Sequence, residues 1–484
     1  MSRTSARAGI AAAVLTLVLG SGGCATNPVT GESELALISE TQEIDLGRSA
    51  AQDVSRSMGL VDDPALQQYV AQIGERLATN SERPELPWQF AVVDDPTPNA
   101  FALPGGYIFV TRGLMSLMNS EAELATVLGH EIGHVTARHS VQQLSRAQLA
   151  QLGLGLGMVL VPELRSFNDL AGTGLGLLFL KYGRDAERQA DQLGFRYAFE
   201  QNYDVSEMAD VFQALQRSSE LAGQSAVPGW LATHPSEAER IAAARDRVAQ
   251  LAAGQADPRS GRVEYLRRID GLVFGSDPRQ GFFRGDTFYH PDLRFKFTAP
   301  DGWKSQNMTS AVVAVSPQQN GAVQLTLARS EDAGQAASAF AAQQGVRVWR
   351  PTRHRFNGVP ATVTPFEAQT EQGVVRGYAA HLEHGGHVFQ LLTYAPQGVF
   401  DSYDDAFERA IASFAPVTDP AILEIAPTRI DVVQLERPMS LRQFAAQQPP
   451  AVEFEQLALI NQIDDPSRTL AAGTYLKQVS RSSS

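Results

Sequence analysis

His130-Glu131-Ile132-Gly133-His134 decides how this chain is read. Ser120, ten residues upstream of His130, stands where a helix can begin, and with Glu123 it forms the pattern of a capping box that satisfies two backbone donors. Leu124, Val127, Leu128, Ile132 and Val135 then recur at spacings of three and four, the mark of one buried helical face. At 3.6 residues per turn, His130 and His134 fall one turn apart on a common side. Two imidazoles so placed can share one zinc ion, with Glu131 beside them to handle the proton of an activated water.

Such a site needs at least three protein ligands, so another segment must supply one. His139 stands nine residues after His130, whereas the pattern with a third histidine on the same stretch needs it at ten and a glycine at seven, where this chain has Ala137. Glu187 is the better candidate. It lies one helical turn from Asp191, so Glu187 can ligate while Asp191 accepts a hydrogen bond from the far nitrogen of a ligating histidine and fixes its tautomer.

Upstream, Trp88–Val93 reads as a strand, and Asn99-Ala100-Phe101-Ala102-Leu103-Pro104-Gly105-Gly106-Tyr107 runs through a turn into a strand ending at Val110. Two readings stay open for it. One is a plain hairpin of the core sheet. The other is an edge strand beside the zinc, in which Asn99, Ala100, Gly105, Gly106 and Tyr107 receive an extended substrate peptide through its main chain.

The chain has 484 residues, enough for about three domains, and a globular composition of 43% hydrophobic and 19% charged residues. Its formal net charge of −13 argues against a nucleic-acid partner. Cys24 is the single cysteine, so no intramolecular disulfide is expected. Arg3 and Arg7, the apolar run Ala8–Leu19 and Ser21-Gly22-Gly23-Cys24 together resemble a bacterial lipoprotein signal over residues 1–24, with Ser21 where leucine is usual. That resemblance implies lipidation of Cys24. By the same resemblance to bacterial lipoproteins, Ala25 rather than Asp after the cysteine implies a periplasmic protein anchored to the outer membrane.

Taken in order, the Asn99–Tyr107 stretch, the His130–His134 pentad, the Glu187–Asp191 pair and His234-Pro235 resemble the HtpX- and BepA-like zinc endopeptidases, bacterial relatives of the CaaX prenyl proteases. The resemblance covers about Ser39–Leu251. It implies a gluzincin fold with one zinc per chain on His130, His134 and Glu187, and it favours the substrate-binding reading of the Tyr107 strand. It also implies that His234 and Arg240 approach the active site, where His234 either occludes the metal or stabilises an oxyanion. The apolar stretches Leu152–Val161 and Leu175–Leu180 are broken by Pro162, Glu163, Arg165 and Asp169, so they read as a lid or membrane-facing hairpin and not as a span.

The expected fold is α+β: a mainly helical metallopeptidase domain with a small sheet over 25–252, a linker over 253–285, an α+β accessory domain over 286–418 and a LysM-like module over 429–480. In the accessory domain, His381, His384 and His387 surround Gly385-Gly386, which reads as a hairpin tip and not a metal site. In the last module, Arg437-Pro438-Met439 replaces the usual Gly-Asp-Thr. The function expected is zinc-dependent hydrolysis of misfolded or misassembled envelope polypeptides. The rival is a chaperone-like envelope lipoprotein that binds peptides with little turnover.

Overall fold

The computed structural model describes residues 24–151, 181–222, 230–234, 237–251, 255–308, 310–370 and 373–481. The signal segment before Cys24, the apolar stretches Leu152–Val161 and Leu175–Leu180, and Pro235 lie outside them. Two compact units emerge, one from the chain up to Gly275 with Arg429–Ser480, the other from Ser276–Thr428 with Arg481.

In the first unit, β1 (Cys24–Thr26) and β2 (Ser33–Leu35) pair as an antiparallel hairpin. Asn27 builds its turn. The side-chain oxygen accepts from the Val29 and Thr30 amides at 2.8 and 3.2 Å, and the side-chain nitrogen donates to Glu34 at 2.9 Å. α1 (Glu40–Met58) and α2 (Pro64–Thr79) start where the sequence carries start signals: Ser39 and Gln42 form a reciprocal capping box, and Asp63 caps α2 just before Pro64.

A three-stranded sheet follows, made of β3 (Gln89–Val93), β4 (Ala100–Leu103) and β5 (Tyr107–Thr111) in the order β3-β5-β4. The Tyr107 strand is therefore central, parallel to β3 on one side and antiparallel to β4 on the other. This corrects the expectation that it forms an edge; the edge beside it is Ala100–Leu103. Gly105 and Gly106 take φ of +78° and +101°, and a Cβ on Gly105 would lie 2.6 Å from the Ile44 Cα. Their glycines answer a left-handed turn pressed against α1.

The helices that build the site come next: α3 (Arg112–Leu117), α4 (Glu121–Thr136), α5 (His139–Gln151), α6 (Arg184–Glu200), α7 (Met208–Ala222), α8 (Trp230–Thr233) and α9 (Glu237–Leu251). α10 (Arg262–Ile269) then falls inside the stretch read as a linker. Tyr265, Leu266 and Ile269 are buried in the main core, and the Tyr265 hydroxyl donates to the Met115 carbonyl at 2.6 Å. The turn-forming residues of 257–261 thus introduce a packed helix, and 253–285 is not a free linker.

In the second unit, β6 (Phe282–Arg284), β7 (Thr287–His290) and β8 (Phe295–Thr298) precede a larger sheet. That sheet holds β9 (Lys304–Met308), β10 (Ala311–Val315), β11 (Ala322–Leu327), β12 (Val346–Val348), β13 (Thr352–Phe356), β14 (Val359–Thr370), β15 (Gly373–His384) and β16 (His387–Pro396). Its order is β12-β14-β15-β16-β11-β10-β9, with β13 also on β14. α11 (Ala333–Ala341) and α12 (Asp404–Ala412) accompany it. Gly385 and Gly386 form the tip between β15 and β16, and His384 pairs with His387 across it.

The chain then returns to the first unit. β17 (Thr428–Gln434), α13 (Leu441–Gln447), α14 (Phe454–Ile460) and β20 (Tyr475–Arg481) give a β-α-α-β order in which the outer strands pair, while two short strands, β18 (Met439–Ser440) and β19 (Thr469–Leu470), pair within it. Ile430, Leu441, Phe444, Leu457, Ile460, Leu476 and Val479 share one hydrophobic core with α2, α3 and α4. The buried Lys477 amine donates to the Ser116, Leu117 and Met118 carbonyls at 2.7, 3.4 and 2.8 Å, serving the orphan acceptors at the end of α3. No helix among the described residues is long and apolar enough to cross a membrane.

Candidate active site

α4 is buried along its whole length. Ser120 caps it by accepting from the Glu123 amide at 3.0 Å. The returning half of the expected capping box is displaced by one residue, because the Glu123 carboxylate accepts from the Asn119 amide at 2.7 Å. α6 approaches α4 through glycines: a Cβ on Gly194 would sit 2.6 Å from the His130 nitrogen, and one on Gly129 would sit 2.9 Å from the Gly194 oxygen. This close packing carries Asp191 and Glu187, one and two turns back along α6 from Gly194, to the histidines of α4.

The donor atoms converge. His130 Nε2 and His134 Nε2 lie 3.0 Å apart, and the Glu187 carboxylate reaches them at 3.6 and 3.5 Å. Ligands at about 2.0–2.1 Å from a tetrahedral zinc stand about 3.4 Å from one another, so these separations suit one ion. Protonation makes the same point. His130 Nδ1 is 2.9 Å from the Asp191 carboxylate, which can only accept, so that nitrogen carries the proton and Nε2 the lone pair. His134 Nδ1 is 2.9 Å from His139 Nδ1, and His139 Nε2 donates to the Gln189 side-chain oxygen at 3.0 Å. His139 Nδ1 must therefore accept, His134 Nδ1 must donate, and His134 Nε2 is also a lone pair. Two lone pairs and a carboxylate facing one another repel unless a cation lies between them. The residues fit a zinc site.

Around this centre, Arg240 holds Asp191 with two hydrogen bonds of 2.8 and 2.7 Å and reaches Glu187 at 3.2 Å. It thereby fixes the carboxylate that orients His130. His234 Nδ1 lies 3.0 Å from Glu187 and 3.3 Å from His130 Nε2, so the four residues form one buried cluster. His234 closes the single turn of α8 and does not start the next helix; its amide donates to the Trp230 carbonyl at 2.9 Å, and Arg240 lies on α9. The Trp230 ring stacks on His234 at 4.0 Å, and the Trp230 amide donates to the Pro98 carbonyl at the start of the β4 segment.

Glu131 is buried, and neither carboxylate oxygen has a hydrogen-bond partner of normal geometry among the described residues. Burial pushes its pKa up to about 7, while His234 and the nearby Ala102 amide pull the other way. Burial likewise pushes His130 down to about 4 and His134 well below the usual histidine value, keeping both neutral, the state in which an imidazole can ligate a metal. Burial opposes ionisation of Glu187, but His234, His130 and Arg240 outweigh it and hold the carboxyl below its ordinary value.

Of the residues read as substrate-binding, Ala100 lies on the edge strand β4, and Asn99 precedes it with its amide bonded to Thr111 Oγ1 at 2.9 Å. Gly105, Gly106 and Tyr107 belong to the turn and the central strand. Cys24 starts the β1 hairpin. Three residues of the site carry no sequence signal for the place they take. The spacing tests His139 only as a ligand. Tyr182, stacked on His134 at 4.0 Å with its hydroxyl 2.8 Å from Ser140, and Trp230 carry no spacing signal that would have singled them out.

Comparison with known proteins agrees with this geometry. Residues 64–248 match the model of Peptidase family M48. The chain is 31% identical over 264 residues to a beta-barrel assembly-enhancing protease of Yersinia pestis, covering 52% of each chain. It is 32% identical over 212 residues to the mitochondrial metalloendopeptidase OMA1 of Arabidopsis thaliana, covering 43% of this chain and 40% of that one. The chain spans about half the length of these curated relatives. The segment from residue 64 to residue 248 thus belongs to that peptidase family, with the metalloendopeptidases among its relatives.

Proposed function

We propose that this chain is a zinc-dependent endopeptidase of the bacterial cell envelope that cuts misfolded or misassembled envelope proteins. The observation that carries the reading is the convergence of two histidine lone pairs and the Glu187 carboxylate beside Glu131, which among the described residues has no hydrogen bond of normal geometry and only His234 Nε2, at 3.7 Å, as an ionic neighbour in reach. His130, His134 and Glu187 would hold the ion, which when bound supplies the Lewis acidity that activates water and polarises a carbonyl. Glu131 takes the proton of the attacking water on its carboxylate and returns it to the leaving amine. Asp191, clamped by Arg240, keeps the His130 proton on Nδ1. The free edge of β4, whose Ala102 amide lies near Glu131, is the strand to which an extended substrate main chain would add.

The relatives named as beta-barrel assembly-enhancing proteases support outer-membrane proteins as the substrate class. The lipoprotein-like stretch ending at Cys24 supports anchoring to the outer membrane from the periplasmic side. We read residues 429–480 as LysM-like in their β-α-α-β order and as an internal support of the peptidase, given the core they share with it. A chaperone-like binder without turnover is the weaker reading, because it has no use for a buried carboxylate beside the ligand set. Metal analysis together with casein cleavage tests the choice. We expect one zinc per chain in both wild type and Glu131→Gln, with cleavage only by wild type; equal cleavage by both sinks the mechanism.

One contact favours a restrained form of the enzyme. His234 Nδ1 lies 3.3 Å from His130 Nε2 and 3.0 Å from the Glu187 carboxylate, which supports the reading that it takes the place a reacting water needs. As a plug, its removal in His234→Ala raises basal cleavage of a peptide; as an oxyanion donor, its removal lowers kcat by about a hundredfold. Steady-state kinetics on one substrate separates the two.

A further inference from the structure

Strands β12 and β13 form one border of the larger sheet in the second unit, both bonded to β14 and leaving their other side without a strand partner. The run Val346-Arg347-Val348-Trp349-Arg350-Pro351-Thr352-Arg353-His354-Arg355-Phe356 that makes this border is unlike the rest of the chain. From Ala333 to Phe366 there is no acidic residue and there are four arginines, in a protein with a net charge of −13. Arg347, Arg350, Arg353, His354 and Arg355 are all exposed, and none of the four arginines is ion-paired with a carboxylate among the described residues. Glu367 stands opposite Arg347 in the register without forming an ion pair. Trp349 is 40% exposed, with the Arg347 guanidinium 5.4 Å from its ring centre.

The register shows how these groups are spread. Arg347 faces Glu367, whereas Arg353 and Arg355 face Thr362 and Pro360, and the two pairings differ by one residue of offset along β14. Side chains opposite one another share a face, and a shift of one residue exchanges faces. The arginines therefore bracket the border on both sides of the sheet. Charges also keep a bare strand edge from pairing with other chains, but either sign of charge serves that end and no exposed tryptophan is needed. Arginines around a tryptophan instead suit the phosphate-rich layer of a bilayer, where the indole sits at headgroup depth.

We propose that the β12–β13 border docks edge-on against an anionic lipid surface. The contact is local and works against the net charge of the protein, so it weakens steeply as salt screens it. Each arginine near such a surface contributes about a fivefold gain in binding, and four together more than a hundredfold.

The test uses the full chain carrying Cys24→Ser, so that no acyl group contributes. Co-sedimentation is measured with phosphatidylcholine vesicles and with vesicles containing about a third phosphatidylglycerol. All proteins share the same N-terminal segment, so only the difference between the two vesicle types counts. We expect stronger binding to the anionic vesicles, lost when Arg347, Arg350, Arg353 and Arg355 are all changed to Glu, and reduced severalfold by Trp349→Ala. The Glu variant keeps the border charged, so edge protection and solubility are retained while lipid binding is not. An unchanged melting temperature shows that it folds. Equal binding of parent and Glu variant, or no preference for anionic vesicles, overturns the proposal. Capture of poly-glutamate without capture of vesicles overturns it too, and assigns the border to an acidic polypeptide.

Discussion

Of the three buried glutamates on α4, Glu123 and Glu131 lie two turns apart and are kept in opposite ways. Glu123, at the start of the helix, accepts from the Asn119 amide at 2.7 Å and from the Gln462 side chain at 3.0 Å, with the Lys477 amine buried close by. Burial, reinforced by Glu207, pushes its pKa up to about 8, while the Asn119 amide, Lys477 and Gln462 draw it back. Glu131, in the middle of the helix, has no hydrogen bond of normal geometry. A buried carboxylate without partners costs stability, typically a few kcal/mol, and a fold retains one where it reacts. Glu123 is held in place at the start of the helix, whereas Glu131 has the freedom that the proposed proton transfer needs.

The largest effect expected from breaking this contrast is on rate. Glu131→Gln should lower kcat by about 10²–10⁴-fold, since it removes the proton acceptor and keeps all three ligands. Metal content should stay at the wild-type level, and the melting temperature should hold or rise because a buried charge is gone. Glu123→Gln should leave kcat within a few-fold of wild type. Comparable losses in kcat from the two changes would erase the distinction between them.

Much of the peptidase centre was legible in the sequence because its chemistry is local. His130, Glu131 and His134 occupy one helical turn, and Glu187 and Asp191 another, so spacing alone places each group on a face. What spacing cannot show is which helix meets which. The glycine contact between Gly129 and Gly194 joins the two turns, and it is visible only in the fold. The edge strand is illegible for a related reason: Tyr107–Thr111 is apolar enough for either position, and only its pairing with β3 makes it central. Polar and turn-forming residues over 253–285 concealed α10, whose buried face is only Tyr265, Leu266 and Ile269. In the second unit, β13 and the outer part of β14 are exposed and carry little alternation, so they gave no strand signal.

A smaller effect is expected at the other end of the comparison, and it falls on stability. Lys477 presents its N–H groups to three carbonyls, as a buried ammonium can; burial pushes its pKa down and Glu123 pulls it back. Lys477→Met leaves three buried carbonyl acceptors without a donor. It should cost about 3 kcal/mol in chemical denaturation, with kcat of the folded fraction unchanged. If this variant unfolds at the wild-type midpoint, the C-terminal segment is not the support its contacts describe.

The smallest effect concerns His139, which the spacing argument set aside as a ligand and the structure returns as an orienting group. It accepts from His134 Nδ1 while Gln189 holds its own proton on Nε2. Without it, His134 can place its proton on Nε2 and lose the lone pair the metal needs. Loss of a partner that orients a ligand typically costs 10–100-fold in metal affinity, less than loss of the ligand itself. His139→Ala should therefore weaken zinc binding by about 10–100-fold in competition with a chelator, whereas Glu187→Ala should abolish stoichiometric binding. His139→Asn, whose side-chain oxygen can still accept a hydrogen bond, should recover part of the loss. A ring that merely fills space would predict the reverse, with His139→Phe better tolerated than His139→Asn. Zinc affinities of the three variants, read beside their melting temperatures, tell an orienting hydrogen bond from simple packing.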